Sequence, residues 1–300
     1  MGTYKAGGAM AGILFRRWRH DKRIHCVLLF IGMLLARELW GISRYGMETG
    51  GECTVFVFSI LFPRPNNVIS SMKLILHVAM LVLLCDVPFV NRYTPYMVLR
   101  GRRKAWWFGC CLYIMGTALF FTLFIVVISI VTVIPVISFS REWGSVLTEF
   151  AIGTKDPQKQ ALRSLYQMLR VSNITVNYLY ADAVWIYTIV TVWADFTVLG
   201  LLMYLVSMIR HNILLSIGTA GFLVFLDPLC FWLSPSFDKW YWLASPVTWC
   251  SVDATDIVPD LGGGEKILSM EYVCIAYPVL IMILLAATAW RSRRWTIETI

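Results

Sequence analysis

Two ionisable residues stand within long apolar runs of the sequence, where such a side chain could carry chemistry. Asp195 is the only charged residue between Val184 and Ile209, and His77 lies near the middle of a second apolar run. Because a charged group inside a membrane-spanning helix costs about 2.5–3.5 kcal/mol on insertion scales, such residues are functional candidates. We predict that Asp195 faces the interior of a helix bundle, where it pairs with His77 or lines a substrate path.

A structural role for Asp195 stays open beside the functional one. Asp195 would then form only a hydrogen bond to a neighbouring helix, or a shifted span would place it at the membrane interface. Lys73 lies near the end of an apolar run, and its long side chain is predicted to extend toward the interface. Asp86 and Asp227 each come shortly before a Pro and are predicted to shape the ends of spans rather than to touch a substrate.

The sequence lacks the motifs of several well-known enzyme classes. No G-x-x-x-x-G-K-[ST] segment is present, so the chain has no P-loop to hold the phosphates of ATP. No H-E-x-x-H segment is present and the four His residues are scattered, which argues against zinc chemistry. No G-x-S-x-G segment marks a serine hydrolase. The sequence therefore predicts a chain that is not an enzyme and has no catalytic, cofactor or metal site.

The composition is that of a membrane protein. Hydrophobic residues make up 58% of the 300 residues and charged residues only 15%, and the mean hydropathy is +0.68. Soluble domains are about 45–50% apolar and about 25% charged. The composition therefore excludes a soluble enzyme and a disordered chain, and it predicts an all-α polytopic membrane protein.

Six apolar runs are candidates for membrane-spanning helices. A bilayer core about 30 Å thick needs about 20 apolar residues in a helix. The third run is predicted to be one long helix, interrupted near Pro135, because no charged residue stands between Lys104 and Arg141. The first run could instead be a signal peptide, although no small-x-small cleavage site follows it. Residues 1–300 are expected to form a single membrane domain, with spans at about 24–42, 68–90, 105–138, 184–209, 213–233 and 272–290.

The distribution of charge predicts the orientation of these spans. Short cytoplasmic loops are enriched in Lys and Arg. With six spans, both termini and the loops after the second and fourth spans share one side of the membrane. More than half of the 26 Lys and Arg residues fall on that side, where acidic residues are few. We therefore expect both termini to be cytoplasmic in a plasma-membrane protein, and the net charge of +8 needs no nucleic-acid partner.

The cytoplasmic loop between the second and third spans carries signals for a short helix. Thr94 is a preferred N-cap residue, and Pro95 suits the first helical position. Gly101 is typical of the residue that ends a helix. A helix over Pro95–Arg100 has fewer than two turns, so it is not stable alone in water and needs a protein surface to pack against. The basic and Trp residues that follow it suit contact with lipid headgroups.

The outer loops also carry local signals. Asp156-Pro157 is a typical helix start, and the apolar spacing after it predicts an extracellular amphipathic helix over about Pro157–Arg170, between the third and fourth spans. The apolar segment Thr54–Phe62 is predicted to lie at the membrane surface. Cys53 and Cys250 both fall on the outer side, so a disulfide between them is possible, but nothing in the sequence fixes their distance.

Several short segments resemble a family of membrane transporters. Asp86-Val87-Pro88-Phe89, the stretch Tyr93–Lys104 and Trp106 resemble bacterial permeases of the type-2 ATP-binding-cassette (ABC) exporter class. Asp227-Pro228 and Ser245-Pro246-Val247-Thr248-Trp249 are similar to later segments of that family. The resemblance covers most of the chain in topology, and its motifs are short.

The resemblance implies a function and a set of partners. In that family the loop between the second and third spans carries a coupling helix, which fits a cleft on a separate ATPase subunit that holds ATP and Mg. A second permease copy, identical or homologous, completes the pathway within the lipid. The expected cargo is an amphipathic or hydrophobic peptide, lipid or drug, moved outward. The coupling role would fall here on Arg92, Tyr93, Thr94, Pro95, Tyr96 and Arg100.

Two other classes of protein stay open. An intramembrane enzyme or an ion-coupled secondary carrier would use Asp195 and His77. Carriers often contain inverted repeats with broken helices, and the sequence contains no convincing repeat. The outer loop 141–182 is also longer than is usual in the permease family.

Overall fold

The computed structural model describes residues 3–63, 72–86, 94–166, 169, 171–233, 242–255 and 268–294, and these residues form an almost entirely helical protein. Two short strands, Cys53–Thr54 and Ile137–Ser138, form its two-stranded sheet. The α-helices are α1 Thr3–Arg16, α2 Lys22–Thr49, α3 Met72–Leu83, α4 Thr94–Val133, α5 Ser145–Ile152, α6 Pro157–Tyr166, α7 Asn173–Tyr178, α8 Ala181–Arg210, α9 Ile213–Leu233, α10 Pro246–Trp249 and α11 Met270–Arg294.

Four helices within the described residues are long and apolar enough to cross a membrane: Lys22–Thr49, Arg103–Val136, Ala181–Arg210 and Met270–Arg293. These helices match the first, third, fourth and sixth predicted spans. The apolar helical segments at the second and fifth predicted spans, Met72–Leu83 and the part Ile213–Leu229 of α9, are shorter. The described part of α3 has 12 residues and is about 18 Å long, less than the thickness of the bilayer core. The architecture is therefore all-α, as expected of a membrane protein.

The predicted short helix between the second and third spans is not a separate element. The structure describes helix α4 from Thr94 onward, and the helix continues through Gly101 for 40 described residues. The residues before Thr94 lie outside the described part of the chain, so the predicted N-cap role of Thr94 stays a prediction. A Gly inside a helix costs about 1 kcal/mol relative to Ala. That cost does not end this helix, because Leu, Arg and Lys residues on both sides are good helix formers. The prediction that Gly101 ends the helix was therefore wrong.

The far end of α4 agrees with the predicted interruption. The α-helix ends at Val133, and a single 3₁₀ turn, Ile134–Val136, contains Pro135. A residue before Pro is disfavoured in the α conformation, which explains the change of helix type. The chain then enters the strand Ile137–Ser138, which pairs in parallel with Cys53–Thr54, so that Cys53 lies opposite Ile137.

Basic residues gather toward one end of the helix bundle. Near the start of α2, the Arg23 guanidinium binds the Asp86 carboxylate just beyond α3. Near the start of α4, Arg103 donates to the carbonyl of Arg293 at the end of α11 (3.1 Å), and Arg291 donates to the carbonyl of Met208 near the end of α8 (3.2 Å). These contacts bring together the ends of helices that the sequence predicts on one side of the membrane.

The opposite end carries the short helices α5, α6 and α7. Helix α6 begins at Pro157, as predicted, and the Asp156 carboxylate accepts a hydrogen bond from the Gln158 N–H (3.0 Å). The structure describes α6 as far as Tyr166. The Tyr166 hydroxyl donates to Glu48 (2.6 Å), and this hydrogen bond ties α6 to the last turn of α2.

Two irregular segments are packed inside the protein. The 3₁₀ helix Val55–Leu61 is largely buried among other side chains, and the prediction that Thr54–Phe62 lies at the membrane surface stays a prediction. Residues 246–255, which include α10, are also buried against α8 and α9. Non-helical backbone at membrane depth is tolerated where protein surrounds it. Both segments therefore help to build the core.

Candidate functional site

A buried contact joins the two ionisable residues that the sequence singled out. The Nε2 atom of His77 on α3 lies 2.5 Å from Oδ2 of Asp195 on α8, and neither side chain is exposed. The rings of Phe62 and Phe196 pack against the imidazole at centroid distances of 6.4 and 5.2 Å. Asp195 thus faces the interior and pairs with His77. In this conformation the pair is enclosed by protein and does not face an open path.

A backbone contact fixes the orientation of the His77 ring. Its Nδ1 atom lies 2.6 Å from the carbonyl oxygen of Lys73, one helical turn earlier. A carbonyl can only accept a hydrogen bond, so Nδ1 carries the proton and donates. The second nitrogen, Nε2, is therefore the atom that faces the carboxylate of Asp195.

Lys73 belongs to the same buried network. Its Nζ atom lies 2.7 Å from Oδ2 of Asp227 on α9, and the two side chains are 1% and 5% exposed. The ammonium also donates to Oγ of Ser251 (2.9 Å). Lys73 was predicted to extend toward the interface, and this prediction was wrong. Asp227 was predicted to shape the end of a span rather than to touch a substrate; it lies in the later part of α9 and pairs with Lys73, and that prediction stays a prediction. A buried carboxylate keeps the ammonium inside, because each charge would be costly without the other.

The segment around α10 completes this network. The hydroxyl of Thr248 donates to the second oxygen of Asp227 (2.6 Å), and the hydroxyl of Ser251 lies 3.4 Å from the carbonyl oxygen of Pro63. The hydroxyl of Tyr187 on α8 donates to the carbonyl of Trp249 (2.9 Å), and that of Tyr277 on α11 donates to the carbonyl of Pro246 (2.7 Å). Hydrogen bonds from two helices therefore hold α10 in place.

Cys250 brings a thiol to this polar centre. One ligand atom each of His77, Asp195 and Cys250 lies within 4.8 Å of the other two, and all three residues are buried. The second carboxylate oxygen of Asp195, Oδ1, is buried without a hydrogen-bond partner among the described residues. The arrangement can share a proton between imidazole and carboxylate, and its donor set can also bind a metal ion.

The possible disulfide between Cys53 and Cys250 is not present. Both residues are buried free thiols. The thiol of Cys53 lies 3.8 Å from the carbonyl oxygen of Thr54, and that of Cys250 lies 3.2 Å from the carbonyl oxygen of Val247. Burial raises the pKa of Cys53 to about 12, so this thiol is protonated at neutral pH.

The predicted coupling residues are described only in part. Arg92 and Tyr93 lie outside the described residues, and Thr94, Pro95, Tyr96 and Arg100 occupy the first two turns of α4. The structure describes the backbone of these four residues but not their side chains. It therefore places them at the start of one long continuous helix and leaves their contacts untested.

The basic end of the bundle contains a bidentate ion pair. The guanidinium nitrogens of Arg23 lie 2.5 and 2.8 Å from the two carboxylate oxygens of Asp86. The hydrogen bond from Arg23 holds the pKa of Asp86 below its ordinary value. This pair joins the start of α2 to the turn that follows α3, as expected of a residue that shapes the end of a span.

Sequence analysis missed the size of the buried network. Lys73 and His77 are four residues apart and therefore share one face of α3, but Asp227, Cys250 and Ser251 come from distant parts of the chain. Two features of the sequence could have predicted part of this network: the Lys73–His77 spacing, and the isolated acidic residues of the fourth and fifth predicted spans. Searches against protein-family models, curated proteins and solved structures found no match to this chain.

Proposed function

We propose that this chain is the membrane-spanning permease subunit of an ABC transporter in the plasma membrane. A separate subunit would hydrolyse ATP in the presence of Mg, and a second permease copy would complete the pathway. The cargo would be an amphipathic or hydrophobic molecule moved outward. The chain itself lacks a P-loop, so the nucleotide chemistry belongs to the partner.

The directions of the helices support a six-crossing arrangement with both termini in the cytosol. At the basic end, one contact joins the start of α2 to the turn after α3, and two others join the start of α4 to the end of α11 and the end of α11 to the end of α8. Helix α9 follows α8 after a two-residue connection, so it also begins at this end. Helices α2, α4 and α9 thus begin at the basic end, and α3, α8 and α11 end there. This alternation is expected if α3 and α9 cross the membrane together with the four longer helices.

The continuous helix α4 is the observation that carries the proposal. Its apolar part begins at Ala105, and the segment Thr94–Lys104 precedes it at the basic end. At a rise of 1.5 Å per residue, that segment projects about 16 Å beyond the apolar part. Since no break separates the two parts, a partner that moves Thr94–Arg100 would also move the membrane-spanning part. This helix can therefore transmit a force from an ATPase to the bundle.

Substitution of the projecting segment tests the proposal. We expect Tyr96→Ala with Arg100→Ala to abolish stimulation of ATP hydrolysis in the partner while the chain is expressed and folded normally. Arg19→Ala changes another basic residue near the same end, outside α4, and should leave stimulation unchanged. Full stimulation in the Tyr96 and Arg100 variant would contradict the assignment of α4 as the coupling element.

An ion-coupled carrier is the second candidate function. The observation that favours it is the pair of buried contacts His77–Asp195 and Lys73–Asp227 inside the bundle. Ionisable residues buried at membrane depth often mark ion or substrate pathways. In vesicles that contain only this chain, a carrier would move its substrate down an imposed ion gradient without ATP, and Asp195→Asn would abolish that transport. A permease subunit alone would show no such transport.

A further inference from the structure

The buried cluster of His77, Asp195 and Cys250 supplies three different donor types to one small volume. A ring nitrogen of His77, a carboxylate oxygen of Asp195 and the thiol sulfur of Cys250 all lie within 4.8 Å of one another. The three side chains come from α3, from α8 and from the turn after α10, so the tertiary fold alone brings them together. This convergence is independent of the function proposed above.

One polar atom in this cluster has no hydrogen-bond partner. Oδ1 of Asp195 is buried and accepts no hydrogen bond from the described residues. The whole side chain is also buried, with no exposed surface. A buried carboxylate oxygen left unpaired is costly, because it has lost its hydrogen bonds with water. A cation held by this carboxylate would offset that cost, because its positive charge lies close to both carboxylate oxygens.

The His77 ring is arranged as metal-binding imidazoles usually are. Its Nδ1–H donates to the carbonyl of Lys73 (2.6 Å), which fixes the tautomer and directs the lone pair of Nε2 into the cluster. A hydrogen bond from the non-ligating nitrogen to a backbone carbonyl is the common support for a metal-bound His. Without a cation, a proton must lie between Nε2 and the carboxylate, because both atoms are otherwise acceptors.

The local charge balance suits a divalent cation. With neutral imidazole, carboxylate and thiolate, the three ligands carry a charge of −2, which a divalent ion neutralises. Lys73, one helical turn before His77, has its ammonium already paired with Asp227 at 2.7 Å. On binding, the ion would replace the proton between Nε2 and Oδ2 and the proton of the Cys250 thiol, since a coordinated thiol is deprotonated.

The distances need only a small adjustment. Zinc bonds of about 2.0–2.3 Å in a tetrahedron place neighbouring ligand atoms about 3.3–3.6 Å apart. The Nε2–Oδ2 separation of 2.5 Å would have to open by about 0.8 Å. The separations to sulfur, none above 4.8 Å, can shorten by rotation of the Cys250 side chain.

We propose that His77, Asp195 and Cys250 form a buried binding site for a divalent transition metal, with zinc as the expected ion. Mixed nitrogen, oxygen and sulfur ligands favour zinc over the hard cations magnesium and calcium. Three protein ligands leave a fourth position, which a water molecule or a substrate group can fill. The site would tie α3, α8 and the α10 segment together at the centre of the bundle.

Metal titration of the purified full-length chain in detergent tests the site. After chelator treatment, the wild type should bind one zinc ion per chain, and cobalt bound in its place should give the absorption of a sulfur–cobalt bond. Cys250→Ser should abolish that absorption and weaken zinc binding at least about tenfold. Cys53→Ser, at another buried free thiol, is the matched control and should bind as the wild type does.

A second pair of variants keeps the test valid if one substitution disturbs folding. Asp195→Asn and His77→Gln conserve shape and should each weaken zinc binding at least about tenfold, while thermal unfolding without metal reports whether they fold. The proposal is overturned if the folded wild type binds no zinc. It is also overturned if Cys250→Ser binds cobalt with the same affinity and absorption as Cys53→Ser.

Discussion

Lys73 and Asp227 form an ion pair across the interior of the bundle, with 2.7 Å between Nζ and Oδ2 and almost no exposure of either side chain. The pair connects α3, of which 12 residues are described, to α9. Hydroxyl groups of Thr248 and Ser251 satisfy the remaining polar atoms. This contact fixes α3 at the centre of the protein.

Loss of one partner of this pair should be strongly destabilising. Lys73→Met leaves the Asp227 carboxylate buried without its cation, and removal of one partner of a buried pair costs about 3–5 kcal/mol. The double variant Lys73→Met with Asp227→Leu should cost much less, because no charge is left unpaired. Thermal unfolding in detergent micelles measures both variants.

A second ion pair of the same length provides the control. Lys159 and Glu149 are also 2.7 Å apart, but their side chains are 33% and 22% exposed. Because solvent screens this pair, Lys159→Met should cost no more than about 1 kcal/mol. Equal losses for Lys73→Met and Lys159→Met would contradict the buried position of Lys73.

The Arg23–Asp86 pair should make stability depend on pH only in acid. The pKa of Asp86 is lowered in the folded chain, so its contribution is fully present above the unfolded value of about 3.9 and is lost as the pH falls through the lower folded value. Asp86→Asn should cost about 1 kcal/mol at pH 7, given the partial exposure of both groups. Unfolding measured from pH 7 to pH 3 should show the two proteins converging only below about pH 4. A constant difference across this range would contradict the prediction.

The contact between α1 and α4 should tolerate no side chain at Gly109. A Cβ atom there would lie 2.8 Å from Cβ of Met10 and 3.0 Å from the carbonyl oxygen of Gly7. Gly109→Ala should therefore destabilise the protein by about 1–3 kcal/mol through overpacking. A Cβ atom at Gly12, also in a helix, would meet nothing within 4 Å, so Gly12→Ala should stabilise by up to about 1 kcal/mol. Limited proteolysis of the α1–α2 connection and thermal unfolding measure the difference, and stabilisation by Gly109→Ala would contradict this packing.

Local chemistry made part of this structure predictable. Long apolar runs predicted the four helices that are long and apolar enough to cross a membrane. The start signal at Pro157 was correct because capping depends on neighbouring residues. Gly101 failed as a stop signal because the helix formers around it outweigh the cost of one Gly.

The buried network was harder to predict because its members are distant in sequence. The Asp195–His77 contact followed from the cost of isolated charges in apolar runs. Cys250 and Ser251 carry no such signal, since a Cys or Ser in a loop fits many environments. The positions of these two residues depend on the burial of residues 246–255 inside the protein. Tertiary packing determines this burial, and no local signal in the sequence predicts it.

The most direct test of the permease proposal is purification of the tagged full-length chain in a mild detergent, followed by identification of its partners and assay of ATP hydrolysis. The account predicts a P-loop ATPase in stoichiometric amount, with hydrolysis that depends on Mg and is lost with Tyr96→Ala and Arg100→Ala. Purification of the folded chain without any ATPase, together with substrate transport in vesicles that contain this chain alone, would contradict it.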